Sequence, residues 1–176
     1  MTQFRMRGVA ATVLVASFAV PALALAQEST NRVAANTDWS VFVEDTPAKA
    51  CWGVSQPKET LNTRDGKAVE VKRGKILMFV SYGAGISGEV SFAGGYPFAA
   101  NSTVELDVGG TKFDMFTQNE TAWAGTPEDD ARIVAAMKAG SSAIVTGRSA
   151  RGTVTKDTFS LLGFTAAVDE AATRCK

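Results

Sequence analysis

Three patterns in this sequence hold residues that could do chemistry. Gly83, Gly85 and Gly88 in "SYGAGISGEV" match G-x-G-x-x-G, the loop that cradles a dinucleotide pyrophosphate. Ser55 and Lys58 in "SQPK" match S-x-x-K, in which a lysine activates a serine. Glu128, Asp129 and Asp130 form a run of acids of the kind that can hold a metal ion. The chain has no His, so Ser-His-Asp and Cys-His mechanisms lack their base.

Each pattern works only if the right element positions it. A dinucleotide loop needs a helix to start inside it, so that backbone amides face the phosphates. After Gly88 the chain reads "EVSFAGGYPFA", and Gly94, Gly95 and Pro97 leave no room for that helix. Glu105 and Asp107 lie near the distance of a ribose-binding acid, but the Gly109-Gly110 turn after them breaks any parallel β-α-β pattern. The glycines therefore read as a connection between strands. S-x-x-K normally opens a helix and comes with S-D-N and K-T-G, whereas here Pro57 interrupts it and the companions are absent. The three acids fall in the first turn of a helix with Thr126 as N-cap and Pro127 at its first position, where capping and the helix dipole explain them. No catalytic, cofactor-binding or metal-ligating residue is assigned. The alternative, an envelope hydrolase using two carboxylates or Ser/Lys, stays open, because 18 acids offer many pairs and none is marked by a cleft motif.

The N-terminus defines the compartment. Arg5 and Arg7 precede the apolar run "VAATVLVASFAV", Pro21 breaks it, and Ala24-Leu25-Ala26 supplies the small-x-small cleavage pattern. Residues 1–26 thus read as a secretory signal peptide, with export to the periplasm or beyond and no transmembrane segment in the mature chain. Removing Arg5 and Arg7 leaves 16 basic against 18 acidic residues, a net charge of −2, which gives no reason to expect nucleic acid as a partner. An exported chain with two cysteines, Cys51 and Cys175, reads as disulfide-bonded. The bond would close a loop of about 125 residues.

Residues 27–37 are small and polar without periodicity and are expected to be a flexible lead-in. The single domain spans 38–176. "DWSVFVED" alternates with Trp39, Val41 and Val43 on one face, and "CWGV", "KILMFVSY", "GEVSF" and "SAIVTG" read as further strands. "STVELDVGGTKFDMFT" is a hairpin turning at Gly109-Gly110, and Asp65-Gly66 marks another. "VEVKRGK", with Lys72, Arg73 and Lys75, reads as the solvated face and end of a strand. Helices are expected at 127–139 and in "GFTAAVDEAATRC", with Phe164, Ala167, Val168 and Ala171 on one stripe. The fold class is mainly β: an antiparallel, sandwich-like single domain with one or two short helices.

"DWSVF" with "CWGVSQP", the "MKAG" helix end, "TGRS" and "FSLLGFTAAV" together resemble the invasion-associated locus B family of exported proteobacterial proteins, over roughly residues 38–175. The resemblance implies a mostly β, non-enzymatic envelope protein with no catalytic residues to carry over. It also implies a link to host-cell entry in pathogens, although members in free-living bacteria point equally to general envelope physiology. A mid-chain cysteine pair found in some members is absent here. The expected partner is an envelope or host-surface protein. Tyr96 in "GGYPFAA" and Arg148 and Arg151 in "GRSARGT" are the candidate partner surface, since aromatics and Arg most often anchor interfaces. The competing reading makes Tyr96 a strand-edge residue and the arginines ordinary turn charges.

Overall fold

The computed structural model describes residues 31–176. The expected signal peptide and its cleavage site lie outside the described residues. Those described form one domain, mainly β as expected. They build one continuous 12-stranded antiparallel sheet.

In chain order the strands are β1 (Arg32–Asn36), β2 (Trp39–Glu44), β3 (Ala50–Ser55), β4 (Glu59–Arg64), β5 (Lys67–Ala68), β6 (Leu77–Gly83), β7 (Ile86–Ala93), β8 (Thr103–Val108), β9 (Thr111–Gln118), β10 (Thr121–Trp123), β11 (Ser142–Arg148) and β12 (Val154–Ser160). The helices are α1 (Pro127–Ala139) and α2 (Phe164–Arg174). The sheet order is β1-β2-β3-β6-β7-β10-β9-β8-β11-β12-β4-β5. Phe92 of β7 and Phe159 of β12 stand five positions apart in that order, yet their rings meet edge-to-face at 6.1 Å. The sheet therefore curls, and its inner face is the core. Trp39, Val41, Val80, Val90, Leu106, Met115 and Val145 point into it, with Phe164 of α2 against Trp39 at 4.8 Å.

The lead-in expected over 27–37 is corrected from Arg32 onward, where β1 pairs with β2. Its residues show no strand pattern, but the edge of β2 offers backbone partners, and Val43 N–H donates to the Asn31 carbonyl as well. Available hydrogen bonds override weak local propensity here. "VEVKRGK" is also corrected: only Lys67–Ala68 is strand, and the segment after it is an irregular strap. The glycine loop is the β6–β7 hairpin, with Gly83 opposite Ile86 and positive φ at Ala84 (50°) and Gly85 (86°). Positive φ at both central residues fits a two-residue turn that continues the sheet's twist. Gly83 allows close approach as well, since a Cβ there would collide with the Lys49 carbonyl oxygen.

Helix α1 begins as the sequence dictates. Thr126 Oγ1 accepts from Asp129 N–H at 3.2 Å. Asp130 does something different. It is buried, and its Oδ1 accepts from Val90 N–H of β7 at 2.7 Å, which ties the helix to the sheet. Burial raises the Asp130 carboxyl above its ordinary value, the Val90 bond opposes this, and Glu89 and Asp129 nearby add to the rise. A raised folded-state pKa favours folding most below the unfolded value and loses that contribution as pH rises through the folded one. Asp130→Asn keeps an acceptor for Val90 but removes the buried charge. It should raise the thermal midpoint at about pH 7 and change it less at about pH 3.5. A lowered midpoint at neutral pH would show instead that the fold needs the carboxylate charge.

Candidate functional site

The outer face of the sheet is more aromatic than a solvated face requires. In β2 and β3 the inward set is Trp39, Val41, Cys51 and Gly53, so Phe42, Trp52 and Val54 point outward. Phe42 and Trp52 are directly opposed in register, and their rings lie parallel within 5° at 5.8 Å. Val54 stands opposite Phe79 of β6. From Phe79 the same row runs through Ser91 to Trp123 and Phe116, a second stacked pair at 5.6 Å. Phe116 is 49% exposed. Phe42, Trp52, Phe79 and Trp123 are half-buried on this outer face and Phe116 is exposed, and clustered apolar surface of this kind is a feature of contact surfaces.

Over β2, β3 and β6 this face forms the floor of a groove of about 790 Å³. Phe42, Trp52, Val54, Leu77 and Phe79 line its floor, and Ser40, Ser81 and Gln56 add polar groups. Arg32, Lys58 and Lys75 stand at the rim with Asp38. Lys58 Nζ lies 2.5 Å from Asp38 Oδ1. That bond, with one from Ser160, holds the Asp38 carboxyl below its usual range.

Ser55 and Lys58 both line the groove without acting on each other. Ser55 Oγ donates to the Asp38 carbonyl at 2.7 Å, and the Lys58 ammonium is taken by the Asp38 carboxylate. Across β8 and β9 the carboxylates of Glu105 and Asp114 share a register position, with Lys112 Nζ 2.9 Å from Glu105. Among the described residues no group of three or more His, Cys, Asp or Glu is placed to hold a metal ion.

The loops of the predicted partner surface do meet. Phe98 bridges to Ser149, Ala150 N–H donates to the Pro97 carbonyl, and Ala99 N–H donates to the Arg148 carbonyl. Tyr96 is nevertheless part of the framework. It is half-buried, its hydroxyl is 2.6 Å from Thr155 Oγ1, and its ring meets Phe98 at 5.0 Å. Burial raises its phenol above the ordinary value. Arg148 and Arg151 are both exposed. Arg151 lines a second cleft of about 520 Å³ beside Tyr96, and Arg148 does not.

Beneath that cleft Arg73 is buried, with its side chain 6% exposed and that of Asp157 fully covered. Arg73 Nη1 and Nη2 each donate to one Asp157 oxygen at 2.7 Å, Nε and Nη2 donate to the Gly94 carbonyl, and the Tyr96 ring lies 4.9 Å away. The sequence reading of Arg73 as a solvated charge is thereby overturned. Its partner on β12 is 84 residues away.

Cys51 on β3 and Cys175 at the end of α2 form a disulfide, with Cα atoms 5.8 Å apart. Such a bond fits an oxidising environment. No helix among the described residues is long and apolar enough to cross a membrane.

The curled antiparallel sheet, the disulfide at its terminal helix and the aromatic outer groove define a disulfide-closed β domain with an aromatic groove on its outer face. Residues 39–172 match the family model described as invasion associated locus B (IalB) protein, and the chain belongs to that family. It is similar in fold to the crystal structure of invasion associated protein B from Bartonella henselae, with a TM-score of 0.52 and 16% sequence identity over 76% of this chain and 91% of that one. A search of curated proteins gave no match.

Proposed function

We propose that this protein is a non-enzymatic binding module of the cell envelope, exported and working in the periplasm or outside the cell. It engages its partner through the groove over Phe42, Trp52 and Phe79. The observation that carries this reading is the set of outward aromatic side chains on strands whose inner faces already supply the core. A largely apolar concavity with a few polar groups around it is the usual form of a ligand site. Family membership supports an invasion-associated locus B type role, in host-cell entry in a pathogen or in envelope physiology otherwise. The glycine, S-x-x-K and triple-acid patterns are each taken up by turn, carbonyl and helix-cap roles, which is why binding is preferred to catalysis.

The test uses the three indoles as reporters. Trp39 is buried with its Nε1–H bonded to the Ser160 carbonyl, whereas Trp52 lines the groove and Trp123 lies further along the same outer face. Adding soluble envelope extract to labelled protein should shift the Trp52 indole resonance and leave that of Trp39 in place. Shifts confined to the Tyr96 and Arg151 cleft would move the site there and refute the groove.

A further inference from the structure

We infer that the second cleft, beside Tyr96, binds a short peptide with both ends free, about three residues long. This goes beyond the groove reading and does not depend on it. Besides the buried Arg73, which Asp157 neutralises, five charged side chains line the cleft: Arg64, Lys72 and Arg151 against Glu70 and Glu120. All five are exposed, and none is in an ion pair with a described residue. Opposite charges that share a cleft without pairing leave both signs open to a ligand.

The fold sorts these charges into two poles. Arg64 Nη2 donates to Thr153 Oγ1 at 2.7 Å, and Arg151 stands two residues before Thr153, in the turn where Gly152 N–H donates to the Ser149 carbonyl. That end is positive. Glu120 belongs to the other end. Its carbonyl accepts from Gly94 N–H, and the Gly94 carbonyl accepts from Arg73, the partner of Asp157. Glu70 and Lys72, two residues apart on the strap, offset each other. Thr153, Thr155 and Asp157 are buried at alternate positions along β12, so the ends are set about 13 Å apart at about 3.3 Å per residue. An extended chain of three residues spans about 10–11 Å, and the long arginine and glutamate side chains close the rest. A single amino acid or a phosphoethanolamine group is too short to meet both ends. The floor also suits a peptide backbone. Thr153 Oγ1 accepts from Arg64 and keeps its own proton to donate. Tyr96 and Thr155 share one hydrogen bond at 2.6 Å, which uses one of their two hydroxyl protons and leaves the other. A terminal carboxylate between two guanidinium groups gains charge-assisted hydrogen bonds.

Four probes test this: trialanine, its N-acetyl form, its C-terminal amide, and phosphoethanolamine. Binding is followed at the backbone amides of Gly95 and Ala150, which line the cleft, with the Trp52 indole as control. Trialanine should shift both amides and leave Trp52 in place. Acetylation and amidation should each weaken binding about fivefold or more, as loss of a charged hydrogen-bond partner does. Arg151→Ala should narrow the gap between free and amidated peptide, and Glu120→Gln the gap between free and acetylated peptide. Both residues are exposed, so both variants should keep the wild-type thermal midpoint. Acetylated peptide binding as tightly as free peptide would overturn the dipolar site, and so would amidated peptide doing so. Phosphoethanolamine binding as tightly as trialanine would overturn the peptide. A shift at Trp52 without one at Gly95 and Ala150 would place the peptide in the groove and refute the cleft. If no probe binds, this inference falls, while the groove is judged separately by envelope extract at Trp52.

Discussion

Replacing Arg73 by Met should destabilise the protein by about 3–5 kcal/mol, because it strands a fully covered carboxylate at Asp157. For a domain of this size that corresponds to a fall in thermal midpoint of roughly 6–20 °C. Asp157→Leu alone should cost a similar amount by leaving the guanidinium buried without its partner. The double variant Arg73→Met with Asp157→Leu should recover most of the loss, since neither charge then remains in the interior. Recovery has a limit, however. Arg73 also donates to the Gly94 carbonyl through two nitrogens and packs against Tyr96, so the double variant still lacks the tie between the 69–75 strap and the end of β7. Chemical denaturation of the four proteins gives the coupling energy directly. Additive losses would show that the pair acts through separate contacts and not as one buried unit. If the groove is independent of this tie, envelope extract should still shift the Trp52 indole in the double variant.

How much of this was legible in the sequence depends on the range of the contact. The helix at 127–139 is local, and Thr126, Pro127 and the first-turn acids announce it. The hairpins at Asp65-Gly66 and Gly109-Gly110 are local too. The closing helix shows its stripe, and Phe164, Ala167, Val168 and Ala171 are all buried. The outward aromatics could have been found by parity. Once Trp39, Val41 and Val43 are taken as inward, Phe42 must face out, and Phe116 stands in the polar phase of β9 beside Lys112 and Asp114. What hid them was the habit of reading aromatics as core. By contrast, nothing near Arg73 in sequence signals burial, because its partner is on a strand that reaches it only through the curl of the sheet. Strand β1 was hidden for the same kind of reason, since its order comes from the edge of β2 and not from its own residues. Tyr96 lies in a loop that meets the Arg148–Arg151 turn, but its hydroxyl is committed to Thr155, which a sequence does not reveal.

Reducing the Cys51–Cys175 bond, or replacing both residues by Ala, should cost about 4–5 kcal/mol by the chain-entropy argument, given the sequence separation of 124. The expected fall in thermal midpoint is roughly 8–20 °C. The native state should survive at lower temperature, because α2 is held by more than the bond. Its buried stripe packs on the inner face, and Phe164 meets Trp39. Near-UV circular dichroism of the double variant should therefore match that of the oxidised protein at about 10 °C, while its melting shifts. A loss below about 1 kcal/mol would show that the chain ends already stay close when unfolded, or that the variant gains compensating packing at Cys51, which is itself fully covered. The consequence for binding follows from position. Helix α2 contacts β2, β3 and β6 from inside, and those strands carry Phe42, Trp52 and Phe79 outside. Cys51 directly precedes Trp52, so the bond anchors the strand at the centre of the groove floor. Releasing it should broaden the Trp52 indole resonance before the Trp123 resonance changes, as reductant is added below the melting range. Simultaneous change of both would mean that the bond supports the whole sheet evenly and gives the groove no separate support.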